Sequence, residues 1–117
     1  MLRRVLKSKL HRVTVTEADV NYEGSVTIDS ALMDAADILP WEEVFIWNIT
    51  NGERFTTYAI PAPAHSGTIC MNGAGAHKAH KGDIIIIATY TSMEENNLKN
   101  YEPRKVFVDE QNRKSGF

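Results

Sequence analysis

Much is scarce in this sequence, and each scarcity closes off a reading. One cysteine, Cys70, in 117 residues leaves no intrachain disulfide, so the cysteine-dense scaffold of a small secreted domain is excluded. No apolar run approaches the length of a bilayer span, since Ile84 to Ala88 amounts only to a short core strand. Neither sign of charge dominates: 13 basic and 15 acidic residues give a net charge of -2 and a pI near 6.1, with no basic stripe for nucleic acid. The seven glycines fit neither a phosphate-binding loop nor a dinucleotide fingerprint. Arg3, Arg4, Lys7, Lys9 and Arg12 crowd the N-terminus without the apolar core of a secretory signal, so a cytoplasmic chain is expected.

What is present reads as one domain, mainly β. Leu10 to Thr16 alternates with a period of two, which predicts a strand with Lys9 and His11 on the same face as Val13 and Val15. Val26 to Ile28, Val44 to Ile49, Glu53 to Ile60, Thr68 to Asn72, Ile84 to Ala88 and Lys105 to Val108 read as further strands, the unalternating Ile84 to Ala88 as one buried on both sides. Asp29 is a good N-cap for a helix in which Leu32, Ala35, Ala36 and Leu39 share one face and which Pro40 closes. Asn51-Gly52 predicts a tight antiparallel hairpin with positive φ at both residues. Short helical turns are expected near Ala76 to Ala79 and Glu94 to Lys99, and Gln111 to Phe117 reads as a loosely held tail. About seven short strands with small helices point to a compact β-barrel.

Several residues could carry chemistry. In Tyr22-Glu23-Gly24-Ser25 the serine follows a glycine at the mouth of a β-branched run, so its hydroxyl can reach the preceding carbonyl without a Cβ in the way. The same pair is also an ordinary turn leading into a strand. Arg54, Thr56 and Tyr58 fall on one face of their strand and Phe55, Thr57 and Ala59 on the other, so Arg54 and Tyr58 could form a carboxylate grip with a proton donor beside it. Trp47 suits core packing or the wall of a small pocket. Asn72-Gly73-Ala74-Gly75-Ala76 is a turn of small residues fit for close packing or for holding an anion. His77 and His80 have ligand spacing but no partner at a familiar distance in sequence, and no metal is expected; Cys70, in an apolar context, reads as a buried, inert thiol.

Three segments together carry a resemblance: Asn21 to Ser25 with Ile28-Asp29; Trp47 through Asn51-Gly52-Glu53-Arg54-Phe55-Thr56-Thr57-Tyr58 to Ile60; and Asn72-Gly73-Ala74 with Gly82-Asp83. In order and separation they resemble the pyruvoyl-dependent aspartate decarboxylases of bacteria, which make β-alanine for pantothenate. With Lys9-Leu10-His11-Arg12 the likeness runs from the N-terminus to Tyr101. It implies a mainly β fold, a six-to-seven-stranded double-psi β-barrel with short helices, assembled as a homotetramer with active sites between subunits. It also implies self-cleavage into residues 1–24 and 25–117, with Ser25 becoming a covalent pyruvoyl group. By likeness, Ser25 and Tyr58 are catalytic and Thr57 and Asn72 serve processing. Lys9, Arg54, Thr57, Gly73, Ala74 and Gly75 bind the substrate, L-aspartate, and His11, Tyr22 and Trp47 wall the pocket. Gly75 stands where the family usually has alanine. The rival expectation is a non-enzymatic barrel that binds DNA or a protein partner, which the acidic balance disfavours.

Overall fold

The computed structural model describes residues 1–115. The elements run β1 (Leu2–Thr14), β2 (Glu17–Asp19), β3 (Ser25–Asp29), α1 (Ser30–Ala36), β4 (Glu43–Asn48), β5 (Arg54–Ala62), β6 (Ile69–Asn72), β7 (Ile84–Glu94) and β8 (Arg104–Phe107), with 3₁₀ segments at Gly73–His77 and Glu95–Asn97. The strands hydrogen-bond in the order β2-β6-β3-β5-β4-β7-β1-β8, and three of the pairings that join neighbours distant in sequence, β2 with β6, β3 with β5 and β1 with β8, are parallel. This is the expected mainly β architecture with short helices, of double-psi barrel type. There are eight strands rather than six or seven. The addition is β2, whose three residues Glu17-Ala18-Asp19 are too few for a pattern to mark and are drawn into the sheet by pairing with β6.

One face of the sheet wraps a core of Leu10, Val13, Val26, Ile28, Val44, Ile46, Ile69, Met71, Ile85 and Ile87, closed by Leu32, Met33 and Ala36 of α1. At roughly 25 cal/mol per Å² of apolar surface removed from water, this face is the main source of stability. Ile84 and Ile86 lie half-buried on the other face, so β7 is one-sided there and not buried on both sides as its composition suggests.

Four local expectations are corrected. In β1 the register slips between Leu10 and Val13, where Arg12 takes φ 63°, so Leu10 and Val13 both face the core. That bulge puts Lys9 and His11 on the face opposite Val13 and Val15. Helix α1 ends at Asp37, in the left-handed region with φ 55°, where the Ile38 amide returns to the Met33 carbonyl at 2.8 Å. Ile38 is thereby turned inward and Leu39 is left 65% exposed; the cap, not Pro40, closes the helix. The β4–β5 hairpin is antiparallel as expected, but only Gly52 has positive φ, and the loop is longer because the Asn48 side chain accepts from the Thr50 amide. Finally, the tail through Ser115 is anchored rather than loose. Asn112 is 1% exposed, donating to the Thr14 and Gly67 carbonyls and accepting from the Thr14 amide. Gly116 and Phe117 lie outside the described residues.

Asp29 ties β3, α1 and the loop before β6 together. Its buried carboxylate accepts from the amides of Ala31, His65 and Gly67, each at 2.9 Å. Burial alone would raise its pKa, but the Gly67, Ala31 and His65 amides outweigh it and hold the carboxyl below its ordinary value. A depressed folded pKa adds stability above the unfolded pKa that is lost as pH falls through the folded value. Asp29→Ala is expected to lose about 3 kcal/mol near neutrality, one from the cap and the rest from stranded amides. Chemical denaturation at pH 7 and in acid reads this out, and the gap from the parent chain should narrow in acid.

Candidate active site

The shielded serine is Ser25, the first residue of β3, fully buried although Gly24 before it is exposed. The antiparallel register sets Ser25 opposite Asn72 and Thr27 opposite Cys70 on the same side of the sheet, away from the core. Asn72 Nδ2 donates to Ser25 Oγ at 3.0 Å and to Thr27 Oγ1 at 2.9 Å, and its Oδ1 accepts from the Cys70 thiol at 3.2 Å. Ser25 Oγ donates to the Glu23 carbonyl at 3.2 Å, so the hydroxyl is turned back over the Gly24 peptide.

Gly73 makes this approach possible. Its φ is +69°, and a Cβ there would lie 2.6 Å from Gly24 Cα and 2.8 Å from Gly24 N. The backbone of the small-residue turn therefore packs directly against the residue before the serine. Asn48 and Asn51 fix the far end of that turn by donating to the Lys78 carbonyl, each at 3.0 Å. Gly75 is glycine for a different reason. A Cβ there would come within 2.9 Å of the Phe55 ring and 3.2 Å of Met71 Sδ, so its missing methyl makes room for Met71. Ala74 is exposed at the turn's surface.

The remaining expected site residues divide into separate groups. Arg54 pairs with Trp47 across β4 and β5, its guanidinium 4.8 Å from the Trp47 ring centroid, and no carboxylate among the described residues forms an ion pair with it. Tyr58 stacks on Trp41 at 5.7 Å, while Thr57 turns to the side of Phe55 and Ala59 as the alternation predicts. Lys9 and His11 lie on β1, with β5, β4 and β7 between them and β3. Burial, then Lys9 and Arg12, push the His11 pKa down, leaving a neutral ring set edge-on to Phe107, with Nδ1 buried and unpartnered among the described residues. Tyr22 stays exposed beside an open groove of about 380 Å³ that it lines with Glu17, Asp19, Thr27, Cys70 and Asn72. His77 and His80 are exposed, and no cluster fit for a metal occurs among the described residues.

Three residues of the neighbourhood escaped the sequence reading: Thr27, Cys70 and Trp41. Period-two spacing from Ser25 and from Asn72 marks the first two. Nothing in the sequence marks Trp41, which reaches Tyr58 because its amide bonds the Ala59 carbonyl at 2.8 Å. Cys70 is half-buried on the site face rather than sunk in the core.

Fold and site define a class: a small β-sheet protein in which a fully buried serine hydroxyl opens a strand and is gripped by a neighbouring strand's side-chain amide. The particular family follows from comparison. A model of the aspartate decarboxylase family matches residues 1–115. Aspartate 1-decarboxylase of Syntrophus aciditrophicus is 55% identical over 96% of this chain and 97% of its own length. That of Thermoanaerobacter pseudethanolicus is 55% identical over 97% of each chain, and that of Chromobacterium violaceum 56% over 97% of this chain and 90% of its own. The chain belongs to the aspartate decarboxylase family. No described helix is long and apolar enough to cross a membrane.

Proposed function

We propose that this chain, an aspartate decarboxylase that converts L-aspartate to β-alanine and CO2, makes its own pyruvoyl group by cutting the Gly24–Ser25 bond. The observation that carries the reading is the buried Ser25 hydroxyl held between Asn72 Nδ2 and the Glu23 carbonyl, with Gly73 packed against Gly24. Ser25 Oγ attacks the Gly24 carbonyl carbon, and the acyl group passes from nitrogen to oxygen as the amide becomes an ester. Asn72 holds the attacking oxygen and, as charge develops, stabilises the oxyanion, an effect of roughly 3 kcal/mol for such donors. Thr57 assists this step. Elimination frees the Gly24 carboxylate and leaves dehydroalanine, whose hydrolysis releases ammonia and leaves a ketone at residue 25.

The residues present fit that group. A buried strand start beside an amide donor shields a carbonyl from water, and Gly73 leaves it room. Once formed, the pyruvoyl carbonyl supplies the electron sink that ordinary side chains lack. The chain's own residues do the rest: Arg54 and Lys9 hold carboxylate charge, Tyr58 returns a proton, and Tyr22, His11, Trp47, Gly73, Ala74 and Gly75 shape the space.

A substrate with two carboxylates needs cations, yet the charged residues lining the groove at Asn72 are Glu17 and Asp19. Lys9 lies on β1, with three strands between it and β3, and Arg54, although on the adjacent β5, is turned to Trp47. A neighbouring copy therefore completes each site, and a homotetramer is the assembly proposed. A free thiol fits a reducing cytoplasm. Intact mass spectrometry of the purified chain tests the reading: fragments 1–24 and 25–117, the latter bearing a ketone reducible by borohydride, together with β-alanine from aspartate. A single uncut mass in active protein would overturn it, and a single uncut mass without activity would favour the non-enzymatic barrel.

A further inference from the structure

We propose that the Cys70 thiol is a positioning residue for self-cleavage, fixing which end of the Asn72 amide faces the Ser25 hydroxyl. The proposal rests on the reading that Ser25 attacks Gly24. An Asn side chain has a donating and an accepting end of nearly the same shape, and only one orientation presents Nδ2 to the nucleophile. Hydroxyls do not enforce that choice. Ser25 and Thr27 can each donate or accept, so both would tolerate the amide turned over, with Oδ1 toward Ser25 and its proton drawn away from the Glu23 carbonyl. The third contact breaks the tie. Cys70 Sγ lies 3.2 Å from Asn72 Oδ1, two residues back on the same face of β6, and a thiol is a donor with little accepting power.

The surroundings keep that thiol a donor. Burial, then the nearby carboxylates of Glu17 and Asp19, push its pKa up, so it stays protonated at neutral pH. Its expected inertness toward electrophiles is thus retained, with the sulfur serving through its proton. Loss of that proton would let the amide sample the flipped state, in which Ser25 is no longer released to attack.

The test follows maturation of the full chain in cell-free synthesis, reading uncut and cut masses against time. Cys70→Val fills the space without a donor and should mature about fivefold to tenfold more slowly, the worth of one net hydrogen bond. Cys70→Ser, whose hydroxyl accepts as well as donates and so does not choose the amide's orientation, should stay slower than the parent. In an Asn72→Ala background Cys70→Val should slow maturation no further, because there is no amide left to orient. Maturation of Cys70→Val at the parent rate, a Cys70→Ser as fast as the parent, or full additivity with Asn72→Ala would each overturn the proposal. If Cys70→Val shows no cooperative melt, Cys70→Ala, which removes the donor without adding bulk, takes its place with the same expectations. A parent chain that never cuts would instead sink the reading of Ser25 on which this rests.

Discussion

Ser25→Ala yields a single uncut chain of 13.1 kDa without measurable decarboxylation, and it still folds. The loss is complete because the substitution removes the only atom that can turn the Gly24 carbonyl into an ester, and with it the ketone the reaction needs. The fold survives for a local reason. Ser25 sits on the side of β3 away from the core, and Asn72 Nδ2 keeps its bond to Thr27 Oγ1 when Ser25 Oγ is gone. One of two acceptors is lost, about 1 kcal/mol, so the melting temperature should fall by only a few degrees. Intact mass, a β-alanine assay and a thermal melt on one preparation separate loss of chemistry from loss of fold. Two fragments from Ser25→Ala would show that another residue cuts the chain.

Gly73→Ala is the second substitution with a large effect, and it acts without touching any functional group. A Cβ at residue 73 meets Gly24 Cα at 2.6 Å, Gly24 N at 2.8 Å and the Tyr22 carbonyl at 3.1 Å, all backbone. None is the loose end of a side chain that can swing aside. The left-handed φ of +69° adds roughly 1–2 kcal/mol for any residue with a Cβ. The strand pair must therefore spread where Ser25 has to lie against Gly24. Because a displacement near 1 Å costs about a hundredfold in a positioned reaction, maturation should slow by at least that factor. Gly75→Ala, two residues on, is the control. Its Cβ would press on the ends of the Phe55 and Met71 side chains, which can shift, so it should lose stability while maturing at nearly the parent rate. Equal maturation of Gly73→Ala and the parent would remove the close approach from the mechanism.

The strands were legible where alternation is clean. In β5 the split between Arg54, Thr56 and Tyr58 on one side and Phe55, Thr57 and Ala59 on the other appears as read, because no bulge interrupts it. In β1 the same reasoning put Lys9 and His11 on the wrong face. A single left-handed residue, Arg12, reverses the parity, and an arginine gives no warning of positive φ. Leu39 failed through a cap: the helical period continues in the sequence past the point where Asp37 ends the helix, and Ile38 takes the buried place. The tail failed because its polarity suggested solvent, whereas the Asn112 amide answers three backbone groups that would otherwise be buried unpaired. For the site, the Gly24-Ser25 and Asn72-Gly73 pairs were readable as motifs, but their meeting is a product of β3–β6 register, which no local pattern specifies. The Cys70 contact belongs to the same class, visible only once two strands are laid side by side.

The placement of β1 has a consequence for what the proposed cut would leave behind. Residues 1–24 include all of β1, which is hydrogen-bonded on one side to β7 and on the other to β8, and all of β2, which lies along β6. Leu10, Val13 and Val15 of that piece are sunk among the apolar side chains of the larger one. Under the proposed cut the N-terminal segment would thus be no leaving propeptide but a lasting member of the barrel, and the two products should travel as one particle until a denaturant parts them.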